Sequence, residues 1–243
     1  ISPPKETLDK AIKLLKNAVR PSIIVGHGAR FNMDSIIKLA EMLKCPVFTT
    51  FKGKGLISDD HPLGCGVLGR SGTPIASWFM NESDLLLVFG ASFSNHTGIS
   101  PKKPIIQVDF DNMALAKFHS VTVPVWGEIG ITADLIKKAI KGKTKSKDRR
   151  KEIAKRWAIW LDEKKSRRKD DRGQGLNSAY IFEELSKLVD DDAIITVDVG
   201  NNTYSFGRYF ESRNQALLMS GYLGSIGFSL PAALGAWSAT QEN

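Results

Sequence analysis

Asp84-Leu85-Leu86-Leu87-Val88-Phe89-Gly90 decides the fold class. Leu85 to Phe89 is apolar without a break. A strand here is covered on both faces, because a half-solvated strand alternates. The same kind of run recurs on either side. Ser22-Ile23-Ile24-Val25-Gly26 and Pro46-Val47-Phe48-Thr49-Thr50 come before it, and Pro104 to Asp109 and Ser120 to Val125 come after it. Helical spacing fills the intervals. Leu8, Ile12, Leu15 and Val19 recur at that spacing from Glu6, with Pro21 as the stop. Met33 to Lys44 turns Ile36, Ile37, Leu39, Ala40 and Leu43 inward behind an Asn32 cap. Thr73 to Asn81 and Thr132 to Ile140 also read as helices, and a Gly-rich stretch runs from Gly53 to Gly72. Buried strands separated by helices make an α/β domain with a doubly wound parallel sheet over residues 5–140.

The pattern then restarts. A helix is expected from Ser178 to Val189 with Asn177 or Ser178 as cap, then a strand from Ala193 to Val197 running into Asp198-Val199-Gly200-Asn201-Asn202. Thr203 to Phe210 suits a helix and Gln215 to Met219 a strand. A Gly-rich turn spans Gly221 to Gly227, and a helix from Ile226 to Thr240 tolerates Pro231 near its first turn. This is the opening of a second α/β domain. The chain starts Ile1-Ser2-Pro3-Pro4 and stops just after Thr240, so both ends read as cut and a longer parent protein is expected.

Composition narrows the class. The 243 residues are 42% hydrophobic and 25% charged, which excludes wholesale disorder, collagen and coiled coil. A chain of this length holds a core without disulfides or metal. No stretch approaches a membrane span, and no secretory leader stands at the start. Two cysteines, Cys45 and Cys65, in apolar or Gly-rich surroundings point to a reducing compartment, hence a cytoplasmic location. Charge is local. Residues 137–172 carry 17 Lys or Arg against 6 Asp or Glu, a balance of +11 in a chain whose total is +8. Such a run is either a solvated linker or a binder of nucleic acid or an acidic surface. Trp157, Trp160 and Leu161 form one stripe on a charged helix from Lys151 to Lys165, which suits docking on a neighbouring domain and favours the linker. No RNA-binding signature or zinc-ligand set supports the alternative. His61, in a turn before Pro62, reads as structural.

Four Gly-rich loops stand at strand ends or helix starts: Gly26-His27-Gly28, Thr49 to Gly55, Gly66 to Gly72, and Gly90-Ala91-Ser92-Phe93. Open α/β sheets bind ligands at the carboxyl ends of their strands, where backbone N–H groups cradle phosphate. Together the four loops point to a nucleotide-type ligand. The nicotinamide fingerprint is absent: Phe31 stands where its third glycine belongs, and Thr49 and Thr50 close the second strand where an acidic residue would take the ribose. Asp109 could accept from two ribose hydroxyls, or cap a turn. Arg70 could pair with phosphate, or form a surface ion pair.

Asp198 to Asn202, then Ser220-Gly221-Tyr222-Leu223-Gly224-Ser225-Ile226-Gly227-Phe228, then Leu230-Pro231-Ala232-Ala233-Leu234-Gly235-Ala236 resemble the diphosphate-binding domain of thiamine-diphosphate enzymes, in the acetolactate synthase and pyruvate oxidase group. The first domain resembles that group's middle domain in Arg20 to Gly28, Thr50 to Gly55 with His61-Pro62-Leu63, Asp84 to Gly90, and Val108 to Asp111. The resemblance covers nearly everything but the basic run, and Gly224 to Ala236 is its most specific part. It implies three parts: residues 1–140 as a Rossmann-like central domain of the DHS-like NAD/FAD-binding type, 141–175 as a basic linker, and 176–243 as the N-terminal part of the thiamine-diphosphate-binding domain.

The resemblance also implies roles. Gly200, Asn201 and Asn202 match residues that contact the cofactor's diphosphate. Gly224, Ser225 and Ile226 match the stretch that holds the aminopyrimidine. There the Gly224 carbonyl accepts from the 4′-amino group, the Ile226 N–H donates to the ring, and the Ile226 side chain wedges the cofactor into its bent, self-activating shape. Close helix packing is the other reading of Gly224, Gly227 and Ala232. FAD, or ADP in relatives, would lie on Gly26, Gly28, Thr50, Lys52, Gly69, Arg70, Gly90, Ala91, Asp109 and Glu128. Glu128 departs from the family's Gly-Asp pair, which lengthens the carboxylate. The Gly-Asp-Gly motif and later Asn that hold Mg2+ are not in this sequence, nor is the family's catalytic glutamate, which belongs to an N-terminal domain. No catalytic residue or metal ligand is therefore assigned, and the chain alone is expected neither to bind thiamine diphosphate well nor to turn over. The implied parent decarboxylates pyruvate or a similar 2-oxo acid and transfers the two-carbon unit, as a homodimer or homotetramer. A pyruvate oxidase-like flavin-linked decarboxylase and a non-catalytic FAD or ADP module are the alternatives.

Overall fold

Ile23, Ile24 and Val25 have no exposed surface, and the strand that carries them has a neighbour on each side. That strand, β1 (Pro21–Val25), pairs in parallel with β2 (Val47–Thr49) through Ile23 to Val47 and with β4 (Leu85–Phe89) through Ile23 to Leu87. The sheet continues through β3 (Gly64–Val67) on one side and through β5 (Ile105–Asp109) and β6 (Val123–Trp126) on the other. Its order is β3-β2-β1-β4-β5-β6, all parallel, which is the order of doubly wound nucleotide-binding sheets. The computed structural model describes the whole chain except residues 94–96, 101, 171–172, 174, 222 and 242–243.

The strand interiors are covered on both faces, as the unbroken apolar runs require. Only β6 alternates between buried and exposed residues, and its Pro124 is tolerated because β6 is an edge strand. It forms over Val123–Trp126, shorter at its start than the expected run from Ser120. Helices α1 (Lys5–Asn17), α2 (Met33–Leu43) and α4 (Ile129–Ile140) pack together, while α3 (Pro74–Glu82) packs beside β3. Helix α4 starts at Ile129, three residues before the expected Thr132, because Glu128 caps it. Strand β3 lies inside the stretch read only as Gly-rich. Its glycines hide a strand signal, and Cys65 and Val67 supply the burial.

Helix α5 (Arg150–Arg168) occupies most of the basic stretch 141–175. It is more than a solvated tether. Ile153 and Trp160 lie in the first core, Trp157 Nε1 donates to Gly64 O at 2.8 Å, and α5 packs on α3 and β3. The stripe of Trp157 and Trp160 thus docks as its spacing suggests, while Leu161 stays partly exposed.

Beyond α5, the second unit holds α6 (Ser178–Leu188), β7 (Ile194–Val197), α7 (Asn201–Tyr209), β8 (Ala216–Met219) and α8 (Ser229–Thr240). Strands β7 and β8 form a two-stranded parallel sheet, and Val197, Phe206 and Phe210 make a small core of their own. Helix α8 starts at Ser229, not Ile226, because the left-handed Gly227 (φ 89°) stops it there. The unit is fastened to the first by buried polar groups. Asp59 N donates to Ser212 O at 2.8 Å, and Asp59 Oδ2 accepts from Ser212 N at 2.8 Å and from Lys54 Nζ at 3.2 Å. Lys164, 1% exposed, donates to Tyr209 O and pairs with Glu211. His61 is structural: its Nδ1 accepts from Leu63 N and its carbonyl from Gly64 N. Both cysteines are free and buried, and burial pushes the Cys45 thiol up to about 12. No helix among the described residues is long and apolar enough to cross a membrane.

Replacing Trp160 with Ala is expected to cost about 3–5 kcal/mol of stability in urea unfolding, since it empties a core position. A loss under about 0.5 kcal/mol, the surface range, would contradict the burial of α5 in the first core.

Candidate functional site

A parallel sheet places the carboxyl ends of all its strands on one edge. In open sheets of this order the reversal, here between β1 and β4, is where ligands bind, because connections leave in opposite directions. All ten residues assigned to the nucleotide follow this edge. Gly26 and Gly28 come after β1, Thr50 and Lys52 after β2, Gly69 and Arg70 after β3, and Gly90 and Ala91 after β4. Asp109 ends β5, and Glu128 lies two residues beyond β6.

The structure brings four of them into contact at the reversal. Gly28 N donates to Gly90 O at 3.0 Å, and Gly26 N donates to Phe89 O at 2.9 Å. A Cβ on Gly26 would stand 2.3 Å from Gly90 O and 2.6 Å from the Ala91 Cβ. Gly90 has φ 59°, and its Cβ would stand 2.4 Å from Ala29 N. These glycines let the two loops meet backbone to backbone, which is also what lets a phosphate approach. Beside them, Thr49 Oγ1 is buried at the end of β2 without a hydrogen-bond partner among the described residues. An orphaned hydroxyl next to a glycine-lined crevice fits a polar ligand.

The other assigned residues are placed less uniformly. Gly69 is reached by the loop after β4, where a Cβ on Gly69's neighbour Gly98 would stand 3.6 Å from Gly69 Cα. The Arg70 carbonyl accepts from Arg208 at 2.9 Å, and its guanidinium has no ion-pair partner among the described residues. Lys52 lays its stem across the second unit, since a Cβ on Gly221 would stand 2.2 Å from Lys52 Cε. Asp109 both caps a turn and keeps capacity for a ligand. Its Oδ1 accepts from Asp111 N at 3.0 Å, and burial raises its pKa above the ordinary carboxylate range. Glu128 has both carboxylate oxygens committed: Oε1 accepts from Gly130 N at 3.0 Å and Oε2 from Ile131 N at 2.6 Å. It is the N-cap of α4.

Two residues outside the assigned set shape this edge. Gln107 is fully buried within β5. Its Nε2 donates to Ala91 O at 2.9 Å and Ala114 O at 3.0 Å, and its Oε1 accepts from Ala116 N at 2.8 Å. It thus pins the loops after β4 and β5 together. The signal was a lone amide in the apolar run Ile105-Ile106-Gln107-Val108. His27 packs against the loop that carries Lys52, and burial, with the Arg30 and Lys52 charges, holds its pKa below the usual value.

The second set of assigned residues gathers at the end of β7. Gly200 (φ 148°) precedes α7, whose N-terminus has no side-chain cap, and Asn201 and Asn202 form its first turn. Backbone N–H groups are thus presented beside a glycine, as a diphosphate needs. Gly224 (φ 66°) lies against Val199, with an added Cβ at an ordinary 3.8 Å from its side chain. Ser225 N donates to Ser220 Oγ at 3.1 Å. Ile226 is 85% exposed, an apolar side chain held away from any core. Tyr222 of this motif lies outside the described residues. The residues here fit a thiamine diphosphate at the level of backbone and glycine. Among the described residues no group of three or more His, Cys, Asp or Glu could hold a metal ion.

Residues 8–136 match the sequence profile of the thiamine pyrophosphate enzyme central domain, more than half of the chain. The chain belongs to the thiamine pyrophosphate enzymes. It is 34% identical to a probable acetolactate synthase large subunit of Methanococcus aeolicus over 97% of this chain and 43% of that protein. It is 34% identical to one of Methanocaldococcus jannaschii over 94% and 41%. Chloroplastic acetolactate synthase of Arabidopsis thaliana is 28% identical over 99% and 37%. The chain thus spans about two-fifths of the length of these relatives. For a thiamine pyrophosphate enzyme the six-stranded sheet is the central domain, and the fold class read from the apolar runs stands.

Gly90→Ala is expected to cost at least about 2 kcal/mol, because strain at positive φ adds to backbone contact. Gly142→Ala, with φ 68° and nothing within 4 Å of its Cβ, carries the strain alone and should cost about 1 kcal/mol. Equal losses in urea unfolding would contradict the close approach of the two loops.

Proposed function

We propose that this chain is the central domain and the start of the diphosphate-binding domain of an acetolactate synthase-like enzyme. In this reading residues 1–140 are the nucleotide-binding part, 141–175 the connection, and 176–243 the cofactor part. The parent decarboxylates pyruvate or a similar 2-oxo acid and passes the two-carbon unit to a second keto acid. The observation that carries the reading is the placement of every assigned nucleotide residue along one strand-end edge of a sheet that belongs to this family.

The edge would hold FAD. Gly26, Gly28, Gly90 and Ala91 bring backbone to the diphosphate, and Arg70 supplies a free guanidinium for it. Asp109 receives ribose hydroxyls through the oxygen that does not cap the turn. Gly69, Thr50 and Lys52 border the site from the β2 and β3 side. Glu128 orients α4 and contributes only through that helix.

The second set would hold thiamine diphosphate. Gly200, Asn201 and Asn202 take the diphosphate at the start of α7. The Gly224 carbonyl accepts from the aminopyrimidine amino group, the Ile226 N–H donates to the ring, and Ser225 spaces the two. The exposed Ile226 side chain is the wedge against the cofactor. When bound, thiamine diphosphate supplies the carbon nucleophile that attacks the 2-oxo acid. The Mg2+ ligands and the acid–base glutamate would lie in segments beyond these 243 residues, in a parent that is a homodimer or homotetramer. Two free, buried cysteines support a reducing compartment, such as the cytoplasm.

Purified chain incubated with FAD and desalted is expected to keep a visible flavin spectrum, with Arg70→Ala weakening binding about tenfold or more through loss of a charge-assisted contact. Failure to retain FAD and to bind ADP would contradict the nucleotide assignment. Carbon dioxide release from pyruvate by this chain alone would contradict the placement of the metal ligands and acid–base group outside it.

A further inference from the structure

Asp198 follows β7 and carries no role in the assignments above. Its carboxylate nonetheless touches both loops of the proposed thiamine-diphosphate site. Oδ1 accepts from Val199 N at 2.7 Å, the residue that leads into Gly200-Asn201-Asn202. The same oxygen accepts from Gly227 N at 2.9 Å, immediately after Gly224-Ser225-Ile226. Oδ2 accepts from Gly227 N at 3.1 Å and from Ser229 Oγ, also at 3.1 Å, in the first turn of α8. The Asp198 carbonyl takes the Thr203 hydroxyl and, at 3.4 Å, Asn202 Nδ2 from the first turn of α7. One residue therefore gathers the chain from 199 to 203 and from 227 to 229.

Among the described residues the second loop and the helix after it bury little apolar surface. Leu223, Ile226, Leu230 and Leu234 are largely exposed, and α8 buries no residue. Gly227, at φ 89°, has nothing within 4 Å of a Cβ. Among the described residues the loop's packing is limited to Gly221 beside Lys52 and Gly224 beside Val199, so hydrogen bonds bear much of the register of its two ends. Those to an ionised carboxylate are the stronger kind. The Val199 and Gly227 amides and the Ser229 hydroxyl also keep Asp198 ionised, with its pKa lowered.

We propose that Asp198 is the positioning residue of the thiamine-diphosphate loops, its single carboxylate holding Gly224 to Ile226 in register with Gly200 to Asn202. This rests on the reading of those two loops as cofactor holders. Asp198 itself touches no reacting atom. It sets the distance between the group that takes the diphosphate and the group that takes the aminopyrimidine.

The test is amide-resolved hydrogen exchange on the full chain without cofactor, comparing the wild type with Asp198→Ala and Asp198→Asn. The decisive amide is Ser225, which bonds Ser220 Oγ and not Asp198. It should exchange on the order of tenfold faster in Asp198→Ala, as loss of a charge-assisted anchor implies. Asp198→Asn, which keeps one acceptor oxygen, should recover part of that protection. Amides of β7 and β8 should stay within about twofold of the wild type, since their ladder does not use the carboxylate. Unchanged Ser225 exchange overturns the proposal. So does an equal rise across the second unit in both variants, which marks a general folding role. Inorganic pyrophosphate at millimolar concentration, added to the same samples, separates the two claims, because the diphosphate-holding turn at Gly200 to Asn202 lies within this chain. If pyrophosphate slows no amide from 200 to 203 while the exchange pattern holds, the cofactor reading fails and the tether stands.

Discussion

Strand β1 must pair on both sides at once. It bonds to β2 through Ile23 to Val25 and to β4 from Pro21 to Val25, so it is the centre from which the sheet grows in two directions. The loop after β1 and the loop after β4 must leave that centre at the same height. They can do so only if neither carries bulk where they cross, which is why Gly26, Gly28 and Gly90 stand there. Strand order thus sets where the two loops meet, and the remaining residues shape the edge around them. Gln107 adds rigidity from below by satisfying three backbone groups of two loops.

The second unit is attached by a different physical device. Its core is small, and much of its contact with the first unit is polar. Asp59 and Ser212 exchange backbone and side-chain bonds, Lys54 neutralises Asp59, and Lys164 pairs with Glu211. Removing one partner of a buried pair costs roughly 3–5 kcal/mol, whereas the intact pair adds little over an apolar substitute. Such contacts fix orientation more than they add stability. The Asp59 contacts hold the loop after β2, and Arg208 donating to the Arg70 and Gly72 carbonyls holds the loop after β3, against the unit that carries Gly200 and Gly224. Gly55 approaches Gln215 and Gly207 approaches Ser71 so closely that a Cβ would stand within 3 Å of backbone.

The fold was largely legible in the sequence because a doubly covered strand leaves an unbroken apolar run, and five such runs were present. Strand β3 was not legible: in Gly64-Cys65-Gly66-Val67 two glycines break the apolar run, although Cys65 and Val67 are buried. The role of α5 was half legible. Trp157 and Trp160 announced a docking face, but the surrounding charge concealed that Lys164 is buried with a partner 47 residues away. At the candidate site, residue type and loop position put the assigned residues on one strand-end edge, while hydrogen-bond commitments stayed hidden. Glu128 reads as a ligand carboxylate in sequence and acts as a helix cap in space. Asp198 stands in a recognisable motif, yet its reach to Gly227 and Ser229 depends on a loop closing across 29 and 31 residues.

We propose the strand-end edge of the six-stranded sheet as the nucleotide site of this chain. Amide exchange of the intact chain with and without saturating ADP tests it directly. Slowed exchange is expected at 26–30, 49–55, 69–72, 90–93 and 107–111, with α1 and the outer surface of α5 unchanged. Protection confined to the basic residues 137–172, or none at the β1 and β4 ends, would contradict it.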